Sequence, residues 1–214
     1  MADLIDNPTP VDVVSELARL SVSLDHVVPA RSADNLLIGT WNVRAFDRVN
    51  VSWRSVQGDE PIRDRSNVRV ITEIVRRFDV IAIQEVRRGA AAFLAMVEAL
   101  GDDWAFMVTD VTEGDAGNNE RLAFVFDTRR VQPSGLACEI VVAPASDGIS
   151  PATLLGQFAR TPYAVSFARG ATRFTLVTLH VVYGHKARDR VPELTAIANW
   201  LARWTAGRDF WGTT

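Results

Sequence analysis

Cysteine is almost absent from this sequence: Cys138 is the single one in 214 residues. An internal disulfide is thereby excluded, and a reducing cytosol suits the chain. Excess charge is lacking too. The formal net charge is −3, so bulk charge gives no support to nucleic-acid binding. Phosphate recognition would have to come from local clusters or from a metal. No apolar run approaches the roughly 20 residues that span a bilayer. The N-terminus, Met1-Ala2-Asp3-Leu4-Ile5-Asp6, has neither the basic region nor the long apolar region of a secretory signal. The expectation is a soluble, cytoplasmic chain without a membrane partner. Internal repeats, low-complexity tracts, CxxC pairs, a G-x-S-x-G elbow and a Gly-Lys-Ser phosphate loop are missing as well. What remains is ordinary globular composition, 48% hydrophobic and 23% charged. The length suits one large domain or two small ones, able to bury a core without staples.

The densest signal is Phe78-Asp79-Val80-Ile81-Ala82-Ile83-Gln84-Glu85-Val86-Arg87-Arg88. Val80 to Ile83 is an apolar, β-branched run, the pattern of a strand buried on both faces. Upstream, residues 1–34 form an extension in which Thr9 caps, and Pro10 opens, a short helix with Val13, Val14, Leu17 and Leu24 on one stripe. A domain boundary falls at 34/35. Leu36 to Val43 predicts the first core strand, and 45–64 a polar surface loop. Arg65 to Phe78 predicts a helix with Val68, Ile71, Ile74, Val75 and Phe78 inside and its arginines outside. A second helix runs from Gly89 to Leu100 and stops at Gly101. Strands follow at 104–108, 122–127, 136–142, 164–168 and 173–182, with loops at 110–119 and 143–156. A last helix runs from Val191 to Trp204, with Leu194, Ile197, Ala198 and Leu201 inward. Strand-helix alternation that gives way to successive strands predicts a mixed sheet packed against helices.

Glu85, at the C-terminal edge of its strand, has two readings. It is a solvated acid paired with Arg87 or Arg88, or it is a ligand for a hard cation that takes carboxylate oxygens. Asn42, in a strand between Trp41 and Val43, either bonds to neighbouring backbone or offers its carbonyl to a metal or phosphate. His180, in an apolar strand, is either a hydrogen-bonded core histidine or a catalyst. Singly, each stays open.

In order, however, Thr40-Trp41-Asn42-Val43-Arg44, Ile83-Gln84-Glu85-Val86-Arg87, Glu120-Arg121, Arg160-Thr161-Pro162-Tyr163 and Thr178-Leu179-His180 resemble the endonuclease/exonuclease/phosphatase superfamily. The resemblance runs from about Leu36 to about Trp204 and leans toward the deoxyribonuclease branch. It implies an α/β fold, a four-layer α/β/β/α sandwich. It implies that Asn42 and Glu85 hold a divalent metal, Mg²⁺ with Mn²⁺ or Ca²⁺ as alternatives. It implies that His180, its ring fixed by Glu120, works at the scissile phosphate, and that Arg44, Arg87 and Arg160 contact that phosphate. The residue types suit the chemistry: a cation and oriented donors neutralise the phosphoryl oxygens, and the arginine fork matches phosphate in two bonds.

Two segments that the resemblance calls for, Gly-Asp-Phe-Asn after the last helix and a later Ser-Asp-His, do not occur in these 214 residues. Asp209-Phe210 is the nearest echo. The expectation is therefore a domain over 35–214 truncated after its first half, with phosphodiester hydrolysis impaired and an uncovered sheet that invites self-association. The alternatives are a non-catalytic module that binds phosphate or nucleic acid, and a fragment with no function of its own. Nucleic acid and a smaller phosphoester both stay open as substrate.

Overall fold

The computed structural model describes residues 8–112, 119–140, 158, 160–181 and 183–206. Among the described residues the chain is mixed α/β, with two sheets and four α-helices. It divides into two compact units, Met1–Met107 with Ala123–Val131, and Val108–Leu122 with Gln132–Thr214. The expected loop 143–156, the end of the strand expected to reach Val142, most of the loop 110–119 and the Asp209-Phe210 echo lie outside the described residues.

The first unit is built on a sheet of order β1-β2-β4-β3, formed by β1 (Ile38–Phe46), β2 (Val80–Arg87), β3 (Trp104–Val108) and β4 (Glu120–Asp127). β1 and β2 are parallel, with Ile38 opposite Val80 and Asn42 opposite Gln84. Val80, Ile81, Ala82 and Ile83 are all buried, as a strand covered on both faces requires. The register then breaks: Asn42 pairs with Gln84 but Phe46 with Val86, so three residues of β1 stand against Glu85 alone.

Three helices accompany this sheet. Helix α1 spans Val11–Val27, and Pro10 rather than Thr9 occupies its N-cap, without a side-chain cap. Val13 is buried, and Arg54 and Arg77 tie the helix down through Asp12, Glu16, Asp25 and Ser21. Helix α2 spans Arg65–Val75 and begins with a capping box in which Asp64 accepts from Asn67 N–H and Asn67 accepts from Asp64 N–H. Arg65 departs from the expected outward placement of the arginines. It is buried, with its guanidinium 5.8 Å from the Trp53 ring, so a flat cation lies over an aromatic face. Helix α3 spans Ala91–Leu100 and starts two residues later than expected, because Ala90 has left-handed geometry (φ 51°, ψ 14°). Gly101, at φ 91°, ends it.

Charge also organises this unit. Asp79, fully buried before β2, accepts from Arg31 Nε (2.7 Å), Arg130 Nε (2.8 Å) and Leu37 N–H (2.8 Å). Arg31 also reaches Asp127 at the end of β4 (2.7 Å). Residues 31–37 are thereby clamped to the starting end of β2, leaving its other end to Glu85.

The second unit holds an antiparallel sheet of order β5-β6-β7, formed by β5 (Gln132–Glu139), β6 (Tyr163–Arg169) and β7 (Thr172–Thr178). β5 begins four residues before the expected strand. Pro133 and Gly135 read as breakers, yet an edge strand tolerates both, and its register shifts between Pro133 and Ala137. Helix α4 spans Val191–Ala206 and follows a short 3-10 turn at Ala187–Arg190. Its inner face differs from the expected one. Ile197 is buried, while Trp200 and Trp204 pack on Ile140 and Ala164; Leu194 and Ala198 are exposed. The two indoles, 4.7 Å apart, present more apolar surface than Leu194 and Ala198 do, and burial of that surface sets the helix's rotation.

Candidate functional site

The sequence-predicted residues fall into two groups, one in each unit. In the first unit, Asn42 and Glu85 come together: Asn42 Nδ2 donates to Glu85 Oε1 at 2.8 Å. Glu85 Oε2 accepts from Ala45 N–H, also at 2.8 Å. The irregularity in β1 makes this possible, because the extra residues wrap the backbone around the carboxylate. Both partners have a positive φ, 63° for Glu85 and 51° for Ala45. A non-glycine residue rarely adopts such a backbone, and when it does the site is commonly a functional one. Gln84, buried beside them, donates from Nε2 to Thr40 Oγ1 at 3.1 Å.

Arg63 is a residue that sequence reading misses. It ends the polar loop and donates from Nη1 to Ala45 O (2.8 Å) and from Nη2 to Arg44 O (2.8 Å) and Val43 O (3.3 Å). Its guanidinium lies 5.1 Å from the Phe46 ring. Burial pulls its pKa below the ordinary arginine value, yet the group stays charged at any working pH. One side chain therefore fixes the three carbonyls of the bulge that wraps Glu85. Nothing in the local sequence flags it, because its partners lie some twenty residues upstream.

Of the predicted phosphate arginines in this unit, Arg44 is exposed on the bulge. Arg87 is half-buried at the end of β2, where its carbonyl accepts from Ala90 N–H at 3.1 Å. The donor set suits a hard cation: a carboxylate at a strand end, with the side-chain amide of Asn42 beside it. As placed, Asn42 turns its NH₂ toward Glu85, so its Oδ1 would be the ligand atom.

In the second unit, Glu120, Arg160 and His180 meet. Glu120 is 1% exposed, and its Oε2 accepts from His180 Nδ1 at 2.8 Å. Arg160 Nε is ion-paired with the same oxygen. Glu120 starts β4 and is fixed by the bridge that Thr112 N–H makes to its carbonyl (3.0 Å). Arg160 precedes β6, where Ile140 N–H bonds to Pro162 O. His180 lies two residues past the end of β7 rather than within the strand. Burial opposes ionisation of Glu120, but the hydrogen bonds from His180 and Arg160 outweigh it and hold the carboxyl below its usual range. An ionised Glu120 accepts a hydrogen bond from the Nδ1–H of His180 and so fixes the orientation of the ring.

No protein-family model matches the chain. Its likenesses among known proteins include nucleases and phosphatases of the endonuclease/exonuclease/phosphatase class. Among curated proteins it is similar to a deoxyribonuclease of Thioalkalivibrio sp. (strain K90mix), 26% identical over 184 residues that cover 82% of this chain and 44% of that one. The chain thus spans less than half the length of that relative. Solved structures similar at low identity include the following three. A conserved protein of unknown function from Enterococcus faecalis V583 is 20% identical, covering 78% of this chain and 61% of that one, with a TM-score of 0.48. An endonuclease/exonuclease/phosphatase family protein from Leptotrichia buccalis C-1013-b is 14% identical, covering 77% and 61%, with a TM-score of 0.47. TDP2 from C. elegans is 13% identical, covering 88% and 48%, with a TM-score of 0.49. Such scores mark a loose likeness, from which no chemistry follows. The roles of the side chains rest on the geometry above.

Proposed function

We propose that the chain is a metal-dependent phosphoesterase that hydrolyses phosphodiesters in the manner of a nuclease. The observation that carries this reading is the buried Glu120 carboxylate, one oxygen of which engages both an arginine and a histidine. Burying a carboxylate is costly unless it is paired with good geometry, and both partners chosen here are groups that also suit a phosphate. Paired as it is, the set presents a guanidinium and an imidazole to a phosphate. Hydrolysis adds water to phosphorus, breaks one P–O ester bond and requires a proton for the departing oxygen. His180 is the group assigned to hold a phosphoryl oxygen or to deliver that proton. Arg160, Arg44 and Arg87 are assigned to phosphate oxygens, and Asn42 with Glu85 to the divalent cation, Mg²⁺ first. A cation held there would supply charge neutralisation on the phosphoryl oxygens.

The substrate class is assigned to nucleic acid, after the deoxyribonuclease likeness. The single thiol of Cys138, raised in pKa by burial, fits a reducing cytoplasm. No helix among the described residues is long and apolar enough to cross a membrane.

The test is nicking of supercoiled plasmid and cleavage of a chromogenic phosphodiester with Mg²⁺ or Mn²⁺. Glu85→Ala and His180→Ala should each lower turnover by about 10²-fold or more, and the double variant should lose little beyond either one, as groups serving one reaction do. Turnover that survives both changes removes these residues from the mechanism. Phosphate-ligand binding without turnover in the wild type reassigns the chain as a binding module.

A further inference from the structure

Residues 183–190, Tyr-Gly-His-Lys-Ala-Arg-Asp-Arg, have no role in the assignments above. Described on its own, the segment is an ordered, basic, solvent-facing element of the second unit. Tyr183 is 82% exposed, unusual for a large aromatic side chain. His185, Lys186 and Arg188 are exposed as well. We propose that this segment is a docking platform for single-stranded nucleic acid, with a base stacked on Tyr183 and neighbouring phosphates on Lys186 and Arg188.

Three observations support it. The ring is buttressed: the Arg190 guanidinium lies 5.0 Å from the Tyr183 ring centroid, and Arg190 Nε donates to Tyr183 O at 2.7 Å. One face is thus braced by a cation while the exposed remainder stays open to a flat partner. The loop is preorganised by one carboxylate, since Asp189 Oδ2 accepts from the N–H groups of both His185 and Lys186 at 2.9 Å. Gly184 fits that design, because at φ 64° a Cβ would come within 2.6 Å of Asp189 Cβ. The charge is local. Lys186, Arg188 and Arg190 outnumber Asp189 here although the chain as a whole is at −3, and a basic cluster with an exposed aromatic is what tracks a phosphate backbone with splayed bases. In duplex the bases are stacked on one another, so Tyr183 favours single strands. A small phosphoester would use neither the ring nor the second cation. This inference rests on the nuclease-like reading and deepens it by naming a strand of nucleic acid as what the chain holds.

The test keeps binding apart from turnover. Fluorescence anisotropy of a labelled twelve-residue oligothymidylate, with EDTA present, measures affinity without cleavage, and a duplex of equal length is the comparison. The single strand should bind more tightly than the duplex. Tyr183→Ala should weaken it by about 5- to 100-fold, as loss of one stacked base does. Lys186→Gln with Arg188→Gln should reduce the salt dependence by a slope of about 1.4, two phosphate contacts at roughly 0.7 each. Arg19→Gln, on α1, sets the effect of net charge alone and should fall well short of either. Lys186 is the chain's only lysine, so amine-reactive footprinting reads this segment apart from the α-amino group, and the oligonucleotide should protect it. An oligonucleotide that fails to bind, binding indifferent to Tyr183→Ala, or an unprotected Lys186 overturns the platform. Hydrolysis of the chromogenic diester is scored separately, so its absence bears on the catalytic reading instead.

Discussion

His180 Nδ1 lies 2.8 Å from Glu120 Oε2, the oxygen that Arg160 also engages. This arrangement makes stability depend on pH in a definite direction. The Glu120 carboxyl is depressed in the fold, against the pull of burial, by its two donors. Its contribution is complete above the ordinary glutamate value and is lost as pH falls through the lower folded value. Glu120→Gln should therefore destabilise the chain by about 3 kcal/mol near neutrality, the scale of a broken buried pair. The gap to wild type should narrow in acid. Urea unfolding across the acid range checks this, and a gap that does not vary with pH contradicts the assignment.

Asp79 makes a second such prediction. Its carboxyl is fully buried between Arg31 and Arg130, and those bonds, with that from Leu37 N–H, hold it below the usual range although burial pushes the other way. Asp79→Asn leaves two guanidinium groups without their counter-charge and should cost about 3–5 kcal/mol. Thermal unfolding measures it. A change within about 0.5 kcal/mol would mean the clamp contributes nothing net.

Arg63→Ala tests whether the bulge positions Glu85. Loss of the groups that orient a metal ligand typically weakens the ion by about 10- to 100-fold. Mn²⁺ titration followed by calorimetry should show a loss of that order, and Arg63→Lys should recover part of it, since an ammonium can still reach a carbonyl. Equal Mn²⁺ affinity in all three proteins would confine Arg63 to a structural role.

Ala90→Gly should stabilise, against the usual cost of glycine. Ala90 holds φ 51° at the N-cap of α3, where a side chain is strained and glycine is not. The expected gain is about 0.5–1 kcal/mol in urea unfolding. A loss would place the strain elsewhere.

Much of the scaffold is legible in the sequence, for identifiable reasons. Val80 to Ile83 reads as a doubly buried strand because β-branched apolar residues follow one another without alternation, and Glu85 therefore reads as a strand-end acid. Helix α3 reads from its stop, because Gly101 takes a φ that other residues resist. The features that are not legible depend on partners far along the chain. Arg63 serves carbonyls about twenty residues upstream, and Asp79 serves arginines about fifty residues away in either direction. The burial of Arg65 depends on where Trp53 falls in a loop without periodicity. Helix α4 is misjudged by roughly a quarter turn, because Ile197 fits either face and only the packing of Trp200 and Trp204 against Ile140 decides between the indoles and Leu194 with Ala198.

The loop over 47–62 looks tolerant of insertion or deletion, being polar and lacking regular structure. It is tethered at both ends: Asn50 N–H bonds to Arg63 O, and Arg63 itself grips the backbone around Glu85. Changing the loop's length would pull on that guanidinium before it disturbed any core residue. Shortened or lengthened versions of this chain would therefore fold and yet present a misaimed carboxylate.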